Sequence, residues 1–339
     1  MNISLEPHHQ ILIQITRLIN WPVRTIQPST ASVRRVISLS LGVAIGLIVY
    51  FTPRSNWQQD LIVFRSAVET LRHPYWARWL FGLLELPSQP LAFALLSLAS
   101  TACLYAAVHI FKGQHWMVFI SFPFSWTIAY GQVDGLVVGG LVLSWWALTR
   151  QRPILLGVGL LIASIKPQLS VPLLAILWWW SPSRLKSLLI PLLATGASLL
   201  QWGWWVPDWL YSLRETGDLV FLTRNLSLWP LIGPWILIIW PLIYALPLPR
   251  GHKLIAIAAG TAMSMPYFPL PSSVLILCMP VPAWTWIALQ LPAFIHWSGF
   301  DIYPWLRVLP PLILLWAGWP AVEHIRKFLN SKLRTYHPI

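Results

Sequence analysis

YGQVDGLVVGGLVLSWWALTRQRPILLGVGLLIASIKPQLSVPLLAIL, residues 130–177, sets long apolar stretches between short polar breaks: Gly131-Gln132-Val133-Asp134, Arg150-Gln151-Arg152 and Lys166-Pro167-Gln168. Runs of this length and polarity read as helices in lipid. A charge at the centre of a transmembrane helix costs at least about 2.5–3.5 kcal/mol on insertion scales, so Asp134 and Lys166 each need a functional or structural reason to be there.

The rest of the chain has the same character. Of 339 residues, 57% are hydrophobic, 10% are charged and 24 are Trp. A soluble domain carries about 25% charged residues, and a membrane-spanning helix needs about 20 mostly apolar ones. The expectation is therefore an all-α, polytopic helical membrane protein. Membrane β-barrels are excluded because the continuous apolar runs 36–51, 91–111 and 185–199 lack the strand alternation of apolar and polar positions. The formal charge of +13 resides mostly in short segments between apolar runs. There it orients the chain and meets anionic lipid; no nucleic-acid-binding module is legible.

Residues 1–35 contain Glu6, Pro7, Arg17, Pro22, Arg24 and Pro28 without a signal-peptide core and cleavage site, so the first helix is expected to be an uncleaved anchor. Cys103 and Cys278 lie in apolar runs, remote from any CxxC spacing or His cluster, and read as buried thiols. Arg34-Arg35 before the first span, 36–52, places the N-terminal segment on the cytoplasmic side. Strict alternation then puts Lys112, Arg150/Arg152, Arg184/Lys186 and Arg250/Lys253 in inner loops. Segment 53–88, the GQVD and KPQ turns, loop 206–228 and the Pro-rich 266–272 fall outside. The orientation rule does not count acids, yet eight of the ten fall on or at the outer boundary: Asp60, Glu69, Glu85, Asp134, Asp208, Glu215, Asp218 and Asp301. Within 273–300, Pro280 and Pro282 break the apolar run into a kinked span or two short ones. A basic tail, 323–339, should be inside, which favours an even count and a single membrane domain over 36–322 with about 10–12 spans.

Segment 53–88 is too polar to span. Leu61, Phe64, Val68 and Leu71 recur at helical spacing among Asp60, Arg65, Glu69 and Arg72. That is the pattern of an amphipathic helix lying in the interface, with Trp57, Tyr75, Trp76 and Trp79 at headgroup depth. Asp60 opens that helix, where a carboxylate either caps it or serves as a base towards a hydroxyl. Asp134 is either an N-cap of the span starting at Gly135 or a second carboxylate at the same mouth. Lys166 either snorkels to the interface or holds an anion together with the helix beginning at Pro167. Gln132 and Asp134, two apart, face one ligand only if the turn at Gly131 is irregular.

Residues 130–177 resemble the signature of the GT-C superfamily of polyprenyl-phosphate-sugar-dependent membrane glycosyltransferases, nearest its mannosyltransferase-like family 87: GQ followed by a polar residue, a pair of spans, then a Gly-containing helix ending in KP. DLIVFRSAVETLRHPYW, residues 60–76, is similar to the family's first outer loop. Asn225-Leu226-Ser227 and Ser264–Ser273 are weaker echoes. The chain departs from the family in having Asp134 where Asn is common, Arg72-His73 before the Pro-aromatic pair, and little outer domain.

The resemblance implies an inverting transferase of the GT-C fold on the outer face of the inner (plasma) membrane. It would move a hexose, mannose first, from a polyprenyl-phosphate carrier to a lipid or glycan hydroxyl, without a metal or other cofactor. It implies Asp60 as base and Lys166, with Arg65 and Arg224, as donor-phosphate ligands. Gln132, Asp134 and Gln168 would line the substrate, with Asp134 a rival base. The alternative is a transporter or flippase of a lipid-linked or small polar substrate, which would show broken helices at matching positions. A catalytically silent scaffold is a further alternative.

Overall fold

The computed structural model describes residues 73–215, 225–295 and 302–336. The expected interfacial helix over 60–72, the first span at 36–52, and Asp60, Arg65 and Arg224 lie outside them. Among the described residues the structure is helical, with one isolated antiparallel bridge between Asn225 and Pro269.

Helix α1 (Ala77–Glu85) closes the first loop and buries Phe81, while Leu83 and Leu86 stay exposed. Helix α2 (Gln89–Phe111) follows, with a proline in its first turn, and ends where Lys112 takes a left-handed conformation at φ 66°. Short helices α3 (His115–Phe119) and α4 (Phe122–Ala129) lead to Gly131. Gly131 stops α4 with a φ of 66°, a left-handed angle that glycine adopts without a Cβ clash. Its N–H donates to Ile128 O at 3.1 Å, and the N–H of Gln132 donates to Thr127 O at 2.9 Å. Helix α5 (Asp134–Thr149) leaves that turn bent by 112° from α4.

Helices α6 (Pro153–Ala163) and α7 (Pro167–Trp179) both start on proline, whose missing N–H costs nothing in a first helical position. Next come α8 (Arg184–Trp202), α9 (Val206–Glu215), α10 (Ile239–Ala245), α11 (Arg250–Ser264), α12 (Ala283–Ile295) and α13 (Leu309–Tyr336). The break at Pro280 and Pro282 resolves into two helices, Val274–Leu277 and α12. Helix α13 runs through residue 323, where the sequence suggests a tail boundary.

Among the described residues three stretches, Gln89–Phe111, Arg184–Trp202 and Tyr303–Glu323, are long and apolar enough to cross a membrane, or four if α4 with α5 is one bent span. The ten to twelve expected spans assume that each apolar run is one helix. Prolines and Gly131 instead divide several runs, and α6 and α7 have only 11 and 13 residues. At about 1.5 Å per residue such helices reach about 17–20 Å, against a hydrocarbon core of about 30 Å.

The centre of the bundle is α5, packed on α2 and α6, and α11, packed on α7 and α13. In α11 every residue from Lys253 to Ser264 is buried. Small residues set the α5–α6 approach, as is common between helices in lipid. A Cβ on Gly140 would stand 2.5 Å from Ala163 N, and one on Gly159 2.6 Å from Ser144 N. Cys278 is buried, and Cys103 is half-buried against Gly139. Lys253, expected in a loop, folds back so that its ammonium donates to Ile243 O and Tyr244 O, each at 3.0 Å, and to Leu246 O. A cation in that place closes the C-terminal end of α10.

Gly159→Val forces backbone apart along α5–α6 and should cost about 1–3 kcal/mol or more. Gly196→Ala in α8, with open space around it, should be neutral or slightly stabilising. Thermal unfolding of the detergent-solubilised variants checks both.

Candidate functional site

The irregular turn at Gly131 brings Gln132 and Asp134 to one place. Asp134 is the first residue of α5. It does not cap the helix from Gly135. Instead, its carboxylate Oδ2 lies 2.8 Å from the ammonium of Lys166. A carboxylate in a first helical turn also sits favourably at the positive end of the helix dipole.

Lys166 occupies the N-cap position of α7 and is 5% exposed, so it does not snorkel to a surface. Its Nζ also donates to Ser272 Oγ at 3.3 Å and reaches Gln132 Oε1 at 3.5 Å. Ser272, in the 3-10 turn Leu270–Ser273, donates in turn to Asp134 Oδ1. Asp134 and Ser272 are no more than 1% exposed, whereas Gln132 is half-buried. The ammonium thus has three acceptors and both carboxylate oxygens have donors, which is what a buried ion pair requires. Gln132 is the partly exposed member of this cluster. Gln168, half-buried in the first turn of α7, follows Lys166 by two residues, and its side chain makes no hydrogen bond among the described residues.

Further segments assigned to the outer side by the charge rule converge here. His73 Nδ1 lies 2.7 Å from Ile165 O, tying the end of the first loop to the residue before Lys166. Asn225 binds the Pro-rich turn: Oδ1 accepts from Phe268 N at 2.8 Å and from Ser227 N at 3.0 Å, and Nδ2 donates to Pro266 O at 2.7 Å. Arg307 Nε donates to Asn225 O at 3.2 Å. On the other flank Ser100 of α2, whose buried hydroxyl has no hydrogen-bond partner among the described residues, packs against Gly135. Asp134, Lys166 and Gln132 therefore come together, with Gln168 adjacent. Sequence reading marks Ser264–Ser273 only as a weak echo and assigns no role to Ser272 or Arg307; a serine behind prolines carries no local sign of a partner 138 residues away.

The N-terminal ends of α5 and α7 both face this centre. Each contributes about half a positive charge, so one ammonium and one carboxylate leave the centre net positive, suited to a further anion. Among the described residues no group of three or more His, Cys, Asp or Glu side chains is placed to hold a metal ion. No known protein family, curated protein or solved structure matches the chain.

Lys166→Met alone leaves a buried carboxylate unpaired and should cost about 3–5 kcal/mol, whereas Lys166→Met with Asp134→Leu should recover most of that loss. Unfolding of the purified variants in mixed micelles measures the coupling; equal losses in single and double variants would exclude it.

Proposed function

We propose that this chain is a polytopic, outer-face glycosyltransferase of the GT-C type in the inner (plasma) membrane. It moves a hexose, mannose first, from a polyprenyl-phosphate carrier to a hydroxyl of a lipid or glycan acceptor. The observation that carries this reading is the Lys166–Asp134–Ser272 centre, buried where two helix N-termini meet, with half-buried Gln132 at its edge. Such a centre suits the phosphate of a lipid-linked donor.

In this reading Lys166 and the first turn of α7 hold the donor phosphate, with Gln132 and Gln168 as polar contacts. The acceptor hydroxyl gives its proton to Asp60 as its oxygen attacks the anomeric carbon. The bond from that carbon to the phosphate oxygen breaks on the opposite face, and its electron pair stays on the leaving phosphate. Inversion follows, and the fixed positive charge stabilises the departing anion. Asp134, enclosed and with both oxygens occupied, is the counterion that holds Lys166 in place; the base role falls to Asp60. Support for bringing the Asp60 loop to this centre comes from its end, where His73 meets Ile165. Arg65 and Arg224 remain assisting cations in the proposal.

A second reading, a transporter of an anionic substrate, draws on the 112° break between α4 and α5. Discontinuous helices whose ends face a buried polar centre also build substrate sites in secondary transporters.

The deciding assay uses the purified full chain and a short-chain polyprenyl-phosphate mannose with extracted membrane lipids as acceptor. Asp60→Asn should lower turnover by about 10²–10⁴-fold. Lys166→Ala should lower it comparably, and Asp134→Asn should weaken donor binding more than the chemical step. Full activity in Asp60→Asn would remove Asp60 as base. Absent turnover, with substrate flux in liposomes, would establish the transporter.

A further inference from the structure

The end of α5 remote from the ion pair carries a second polar site. The turns at 150–153 and 181–183 enclose a cavity of about 240 Å³ lined by Gln151, Arg152, Ser181, Ser183, Leu148 and Leu156, among others. The length of α5 separates it from Asp134 by about 24 Å, at about 1.5 Å per residue.

Its polar lining consists of side chains with hydrogens to donate and no carboxylate. Arg152, Gln151 and Ser183 make no side-chain hydrogen bond or ion pair among the described residues. Ser181, 3% exposed, accepts from Ser183 N at 3.3 Å, but its own O–H has no acceptor among them. Arg152 and Ser183 are also the N-cap residues of α6 and α8, and neither side chain caps its helix. Gln151 and Arg152 are exposed at the rim and Ser181 is buried within, so a cation and two helix starts border one cavity, a combination that favours an anion. Neighbouring cations are engaged elsewhere: Arg150 lies 5.9 Å from the Trp146 ring, and Arg184 lies 4.2 Å from that of Trp179.

The walls point to an amphiphile. Leu148 and Leu156 line the cavity and are buried, while Ile154, Leu185 and Trp179, each within two residues of a lining residue in sequence, are exposed at 43%, 86% and 57%. We infer that this cavity binds the headgroup phosphate of an anionic phospholipid, with the acyl chains along those exposed side chains. The inference rests on the membrane placement proposed above and is independent of sugar transfer.

The test follows thermal unfolding of the full chain in neutral detergent by tryptophan fluorescence, with phosphatidylglycerol, phosphatidylcholine or inorganic phosphate added. Phosphatidylglycerol should raise the midpoint. Arg152→Gln should raise the half-saturating lipid concentration about tenfold, the equivalent of about 1.4 kcal/mol, while Arg150→Gln should leave it within about twofold. A matching shift from millimolar phosphate alone would replace the lipid with a free anion. Equal shifts from phosphatidylcholine, or equal weakening in Arg150→Gln, would overturn a dedicated anionic-lipid site.

Discussion

An ammonium and a carboxylate buried 2.8 Å apart, Lys166 and Asp134, hold together the turns that gather at one end of the bundle. Neither charge tolerates burial alone, so each turn that supplies a partner is fixed by the others. Gly131 directs Gln132 and Asp134 inward, Pro167 starts the helix that Lys166 precedes, and Ser272 closes the triangle from a third loop. Moving any one of them leaves a buried polar group unsatisfied, at about 1–3 kcal/mol or more. The same arrangement directs two helix N-termini at one point, where a pair of neutral sum leaves their partial positive charge uncompensated.

The helical class was legible in the sequence because apolar run length and low charge admit little else. The GQVD and KPQ turns were legible because glycine and proline punctuate the backbone directly: Gly131 takes the left-handed angle, and Pro153 and Pro167 open helices. Span lengths were less legible. An apolar run looks alike whether it crosses lipid as one helix or bends by 112° within protein, as at α4 and α5. Partners distant in sequence were the least visible. Nothing near Lys166 names Ser272, and nothing near Lys253 announces that it closes the end of α10.

The two ends of α5 differ in chemistry. At its N-terminal end charges are buried and mutually satisfied, with half-buried Gln132 beside them. At its C-terminal end Arg150 and Arg184 rest on tryptophan rings, and Arg250 lies 5.4 Å from that of Trp180. That is the aromatic and basic mixture of a membrane–water interface. One end is thus suited to a buried anion, the other to lipid headgroups. Close packing along α5 and α6 makes the connection between them stiff.

A Lys166–Asp134 centre that opens to the outer face and receives a lipid-linked phosphate must also expose Gln168 to that face. Gln168→Cys, in a background with Cys103 and Cys278 replaced, can be probed with a membrane-impermeant maleimide. Labelling is expected from outside intact cells, slowed several-fold by added polyprenyl phosphate. Labelling only after permeabilisation, or at a rate indifferent to polyprenyl phosphate, would contradict an outward-facing phosphate site.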